Sequence, residues 1–155
     1  MKIIIIGAGI GGMSAAIALE RAGFETEVYE AVAEMKPVGA AISVWPNGVK
    51  CLNSLGLKQP LRALSGNMAW MAYHDARSGA PLTRFSLAPL VQQTGEYPAP
   101  VSRAGLQAML LDNYGRTRVR FGRRVTHAEQ TSQGVTAFFA DGSEAAGDLL
   151  VAADG

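Results

Sequence analysis

Three glycines, Gly7, Gly9 and Gly12, stand in the order G-x-G-x-x-G directly after the apolar run 2–6. Each position has a chemical reason. Gly7 permits a tight turn out of a strand, Gly9 lets a pyrophosphate approach the bare backbone, and Gly12 lets the following helix lie close to the sheet. The helix start offers N–H groups and a partial positive charge to phosphate oxygens. Ala16 is small where that helix must approach the strand, and Gly23 falls where it should stop. Glu30 follows Gly12 by eighteen residues, at the end of the next strand. A carboxylate there accepts both hydroxyls of an adenosine ribose and repels a 2′-phosphate. The set predicts a dinucleotide site and leaves FAD and NAD unseparated.

Other reactive residue types are poorly placed for chemistry. His74 and His127 are far apart, without metal-ligand spacing, and read as strand-surface residues. Asp75 and Glu96 lack a partner carboxylate, so a hydrolase dyad is unsupported. Cys51, the single cysteine, lies among Leu52 and Leu55 and reads as a core-facing thiol. Trp45 and Trp70 read as core or pocket lining. Arg116, Arg118, Arg120, Arg123 and Arg124 lack interleaved stacking aromatics and read as a solvated strand face.

The elements that must hold the glycine loop are legible. Residues 2–6 are β-branched and apolar without alternation, the pattern of a central parallel strand. A helix over 13–22 and a strand over 26–30 complete a βαβ start. Residues 35–41 read as a loop. Pro46-Asn47-Gly48 opens a second helix that stops at Gly56. Strands over 68–74 and 81–85 flank the turn 75–79, and three prolines in 88–100 argue for irregular chain. Residues 101–113 read as a helix with Leu106, Met109 and Leu110 on one face. Strands follow around 118–121, 125–130, 135–140 and 148–152, with the tight turn Asp141-Gly142 between two of them.

Composition agrees with a folded α/β chain. The 155 residues are 48% hydrophobic and 17% charged, which excludes a disordered chain. A net charge of +1 does not suggest a nucleic-acid binder. One cysteine permits no internal disulfide and suits a reducing cytoplasm. No apolar run approaches the ~20 residues of a membrane span. The chain stops straight after an apolar strand, so it is expected to be the front part of a longer protein.

Later segments carry a family resemblance. The stretch 37–48, Pro-Val-Gly-Ala-Ala-Ile-Ser-Val-Trp-Pro-Asn-Gly, resembles the second segment of the class A flavoprotein monooxygenases, the para-hydroxybenzoate hydroxylase-like group. Val101-Ser102-Arg103-Ala104-Gly105-Leu106 is similar to their arginine motif, and residues 147–155 resemble the start of their Asp-Gly fingerprint. Within the group, stretches 38–57, 84–90 and 106–115 are most similar to the bacterial branch that hydroxylates urate in purine catabolism.

The resemblance implies a Rossmann-like FAD-binding α/β fold joined to the start of a β-sheet substrate domain. Residues 1–66 would form an FAD-binding βαβ segment and 67–100 a hairpin insert of the substrate domain. Residues 101–155 would continue the FAD-binding domain up to the Asp-Gly motif. Gly11 and its neighbours would hold the pyrophosphate, with Glu30 on the adenosine ribose and the Ala31 backbone beside it. Ser43 would contact the cofactor, Arg103 would reach its phosphate or ribityl region, Val125 would present backbone to the adenine, and Asp154 would bond the ribityl chain. Catalytic residues are expected beyond residue 155. The implied activity uses NAD(P)H, with NADH favoured, and O₂ to hydroxylate a ring, urate giving 5-hydroxyisourate. Residues 1–155 alone are expected to be inactive in hydroxylation. The alternatives are a hydroxylase of a salicylate-like acid, a non-catalytic FAD-binding fragment and an NAD-linked dehydrogenase domain.

Overall fold

Strand β1 (Lys2–Ile6) is apolar on both faces because it is covered on both, with Ile3, Ile4, Ile5 and Ile6 all buried. The computed structural model describes residues 1–36 and 39–155. Pro37 and Val38, which the sequence places in a loop and at the head of the second resembling segment, lie outside the described residues.

Helix α1 (Ile10–Arg21) follows β1, and β2 (Glu25–Tyr29) completes the first βαβ unit. The chain continues through β3 (Ala41–Val44), α2 (Pro46–Ser54), α3 (Lys58–Leu64), β4 (Trp70–His74), β5 (Pro81–Ser86), α4 (Ala88–Thr94) and β6 (Ala99–Ser102). Then come α5 (Arg103–Tyr114), a 3-10 turn at Arg116–Arg118, β7 (Val119–Arg120), β8 (Val125–Thr131), β9 (Gly134–Phe139), β10 (Glu144–Gly147) and β11 (Leu149–Ala152). The chain forms two compact units, Met1–Val38 with Ala104–Gly155, and Gly39–Arg103.

The first unit is built on a parallel sheet in the order β11-β1-β2-β7. β1 pairs with β11 from Ile3↔Leu149 to Ile6↔Ala152, and with β2 from Lys2↔Glu25 to Ile6↔Tyr29. A second, antiparallel sheet has the order β10-β9-β8. Ile4, Ile6 and Tyr29 pack with Ala137, Phe139 and Ala145 in one buried cluster. The Tyr29 and Phe139 rings stack there at 4.7 Å between centroids. The second unit holds two antiparallel pairs, β3 with β6 and β4 with β5.

Several sequence readings need correction. Residues 88–100 are irregular only over 95–98, where Pro98 lies: Pro89 sits in the first turn of α4, where a missing N–H costs nothing, and Pro100 lies in the short pair of β3 and β6. Val101 belongs to β6 rather than to the following helix. Helix α3 and strand β10 escaped the sequence reading, and β3 starts where a loop was expected to end. Cys51 is exposed, not core-facing. Trp45 and Trp70, 39% and 54% exposed, are outside the core.

The arginines do not form one strand face. Only Val119–Arg120 is strand, and four of the five make ion pairs: Arg116 with Asp112, Arg118 with Glu20, Arg120 with Glu27, and Arg123 with Asp141. His74 and His127 do sit exposed on strands β4 and β8. Among the described residues no helix is long and apolar enough to cross a membrane, and no group of His, Cys, Asp and Glu could hold a metal ion.

Candidate dinucleotide-binding site

The turn between β1 and α1 is set by two glycines that nothing larger could replace. Gly7 has φ +100°, and a Cβ there would stand 2.5 Å from the Ala153 carbonyl oxygen and 3.0 Å from Asp154 Cα. The turn therefore lies directly against the end of β11. A Cβ on Gly12 would press into the Gly7 carbonyl and lie 3.4 Å from Ala153 Cβ. This contact draws α1 onto the strand. The Gly7 N–H donates to Tyr29 O at 2.7 Å, which ties the turn to β2.

Gly9 and Gly11 behave differently. A Cβ on either would meet nothing within 4 Å, so both face open space. Gly9 caps α1 without a side-chain bond to the first-turn N–H groups, and that turn holds no acidic residue. The helix start thus presents backbone donors that neither a side-chain cap nor an acidic residue of its own first turn takes up. A pyrophosphate needs this combination of open approach and free donors.

Glu30 joins the turn from the other side. Its Oε2 accepts the Ala8 N–H at 2.8 Å and its Oε1 accepts the Val32 N–H at 2.9 Å. A carboxylate has about four acceptor sites, so capacity for ribose hydroxyls is left. The segment 122–125 runs alongside: Arg123 N–H donates to Glu30 O at 2.8 Å and Gly122 N–H to Val32 O at 2.9 Å. That pairing sets Ala31 beside the start of β8, where Val125 lies. Ala153 N–H donates to Ile6 O at 2.8 Å, bringing Asp154 to the Gly7 turn. The first unit therefore gathers Gly7, Gly9, Gly11, Gly12, Glu30 and Asp154 at one strand end, with Ala31 and Val125 flanking it.

The electrostatics beneath the site are those of a packed sheet. Burial alone would raise Glu27, but hydrogen bonds from Tyr29 and Lys2, with the Lys2 and Arg120 charges, hold its carboxyl below the usual value. Burial and the Glu27 hydrogen bond at 2.6 Å push the Tyr29 phenol up to about 12.

Ser43 and Arg103 belong to the second unit. Ser43 lies exposed on β3 opposite Pro100 of β6, and its hydroxyl is 3.8 Å from Met68 Sδ. Arg103 N–H donates to Ala40 O at 3.1 Å, and a Cβ on Gly39 would lie 3.4 Å from Arg103 Cδ. The β3–β6 pairing thus brings the stem of Arg103 to the glycine-rich segment before Ser43.

One contributor was missed from sequence. Gln107 of α5 is buried, and its Nε2 donates to Ala8 O at 3.0 Å. It sits on a buried stripe with Leu110, Leu111 and Tyr114, and a polar member of such a stripe was the available signal.

A parallel sheet with a glycine turn, free helix donors and a strand-end glutamate defines a dinucleotide-binding protein of the Rossmann type. A family model described as an FAD binding domain matches residues 1–155, and the chain belongs to that family. FAD fits the residues present, since Gly9 and Gly11 leave the approach to the α1 donors clear.

The chain is 59% identical over 155 residues to an FAD-dependent urate hydroxylase of Klebsiella pneumoniae subsp. pneumoniae, covering 100% of this chain and 40% of that protein. It is 30% identical over 155 residues to the 6-hydroxynicotinate 3-monooxygenase of Bordetella bronchiseptica, covering 99% of this chain and 40% of that one. A crystal structure of Klebsiella pneumoniae HpxO complexed with FAD and uric acid superposes with a TM-score of 0.93 at 57% identity, over 100% of this chain and 39% of that one. The chain spans about 40% of the length of the curated relatives it matches. The resemblance to the flavoprotein monooxygenases, and the α/β Rossmann-like fold it implied, are borne out.

Proposed function

We propose that this chain is the FAD-holding part of a flavin-dependent hydroxylase whose substrate is urate. The observation that carries the reading is the 59% identity to an FAD-dependent urate hydroxylase, which extends over all 155 residues. The geometry of the glycine turn supports it. Bound FAD, reduced by NADH or NADPH, would supply the O₂ chemistry that inserts one oxygen atom into the ring.

The chain's own residues bind and orient. Gly9, Gly11 and the first-turn N–H groups of α1 hold the pyrophosphate, with Gly7 and Gly12 making room for the turn. Glu30 accepts from the adenosine ribose beside the Ala31 backbone, and the Val125 backbone reads the adenine. Ser43 and Arg103 contact the cofactor, Arg103 with a fork of donors suited to phosphate. Asp154 accepts from the ribityl chain. Residues 1–66 and 101–155 are read as the cofactor-binding domain and 67–100 as a hairpin of the substrate domain. The protein works in the cytoplasm, with small-molecule substrates and O₂ as its partners.

The test is substrate-stimulated NADH oxidation by the full-length protein, with urate, salicylate and para-hydroxybenzoate compared. Urate is expected to stimulate most and to be consumed. Stimulation by a benzoate and none by urate would replace the urate reading with the aromatic-acid alternative.

A further inference from the structure

The Ala8 backbone is held from two directions by side chains distant in sequence. Glu30 Oε2 takes the Ala8 N–H at 2.8 Å, and Gln107 Nε2 gives a hydrogen bond to the Ala8 carbonyl at 3.0 Å. A carbonyl oxygen only accepts, so the amide must present its nitrogen there. The same nitrogen lies 3.4 Å from Met35 Sδ, a weak acceptor for its second hydrogen. Both Ala8 and Gln107 are buried, so water does not readily substitute for either partner.

The consequence falls on the next residue. Ala8 C=O and Gly9 N–H belong to one peptide unit, and across a trans peptide they point in opposite directions. Fixing the carbonyl on Gln107 therefore fixes the Gly9 N–H pointing away from α5. Among the described residues no acceptor takes that N–H. Gly9 is also a position where a Cβ would meet only open space. A free donor next to an open approach is what an arriving phosphate oxygen requires.

We propose that Gln107 is the positioning residue of the glycine turn, aiming the Gly9 N–H at the cofactor's pyrophosphate by anchoring the Ala8 carbonyl. The proposal rests on the reading that this turn binds FAD. It assigns to α5, a helix outside the glycine motif, control over how well the motif is pre-organised. Without the anchor the Ala8–Gly9 peptide is free to rotate, and binding must then order it at an entropic cost.

The experiment compares FAD affinity with thermal stability of the apoprotein in three variants of the full-length protein. Gln107→Leu keeps the apolar volume and removes the donor. It is expected to weaken FAD binding about ten-fold, as for one buried hydrogen bond lost, while the apoprotein melts close to wild type. Gln107→Glu can donate only when its carboxyl is protonated, so its FAD affinity should recover as pH is lowered, unlike that of Gln107→Leu. Leu111→Ala, a core truncation on the same helix, should lower the melting temperature yet leave FAD affinity of the folded protein within about two-fold. Unchanged FAD affinity in Gln107→Leu overturns the proposal. So does a loss that merely parallels a fall in apoprotein stability, as Leu111→Ala calibrates it. Failure of the wild-type protein to bind FAD would instead refute the reading of the turn.

Discussion

Gly7→Ala and Gly9→Ala make the same chemical change two residues apart and should fail in opposite ways. At Gly7 the backbone has φ +100°, a conformation that costs a non-glycine residue about 1–3 kcal/mol. The new Cβ would also stand 2.5 Å from Ala153 O and 2.8 Å from Ala153 C. Ordinary contact needs a further ~0.8 Å or more, so the turn must leave the end of β11. Overpacking of this kind costs about 1–3 kcal/mol. Together the two effects destabilise by about 2–6 kcal/mol, or roughly 5–20 °C in melting temperature for a domain of this size. Gly9 has φ −68° and ψ −178°, which alanine adopts freely, and its Cβ would meet nothing within 4 Å. Gly9→Ala should therefore melt within about 2 °C of wild type without FAD, yet bind FAD at least ten-fold more weakly, because the methyl occupies the phosphate approach. Differential scanning fluorimetry of the apoproteins and flavin fluorescence titration provide the two readouts. A Gly7→Ala protein as stable as wild type, or a Gly9→Ala protein with wild-type FAD affinity, would refute the division of labour argued for the turn.

Three further outcomes are expected. Glu30→Ala or Arg103→Ala should weaken FAD binding roughly 10- to 150-fold, the worth of a charge-assisted hydrogen bond of about 1.5–3 kcal/mol, read as the FAD dissociation constant. The Tyr29 phenol, raised to about 12 by burial and by Glu27, favours the fold most below the free phenol value near 10 and loses that contribution as pH climbs toward 12. An ultraviolet phenolate titration should show this late phase, and Tyr29→Phe should shrink it to the share of Tyr114, whose phenol burial also raises. Cys51, exposed on α2, should alkylate in the native protein without loss of secondary structure by circular dichroism.

The parts of the fold that were legible are those fixed by local backbone needs. The β1 turn demands glycine at a positive φ and again where α1 approaches the strand, so Gly7 and Gly12 announce themselves in the sequence. Glu30 was legible because β2 is short and regular and brings its end level with the turn. The β3–β6 pair was not legible. Four residues from position 41 join four from position 99, and nothing in either tetrapeptide encodes a partner some sixty residues away. Prolines around that second stretch argued for irregular chain, yet Pro89 and Pro100 sit where a missing N–H costs little.

Misjudged faces came from reading apolar neighbours without the helical period. In α2 the buried residues are Pro46, Val49 and Leu52, three apart, and this sets the inward stripe. Cys51 precedes Leu52 by one residue, about 100° around the helix, and so turns outward despite its apolar company. In α5 the same period gives the opposite lesson. Gln107, Leu110, Leu111 and Tyr114 form an i, i+3, i+4, i+7 stripe that is buried throughout. Two of its four members are polar, and each has a partner on the adjoining backbone: Gln107 on Ala8 O, and Tyr114 on Thr26 O at 3.2 Å. A polar group is kept on such a stripe only where a hydrogen bond offsets its desolvation. Both partners lie in the β1-α1-β2 unit, one in its turn and one in its second strand. The polar positions of α5 therefore fix its register against the glycine turn and β2, a function that apolar residues, which pack without direction, could not perform.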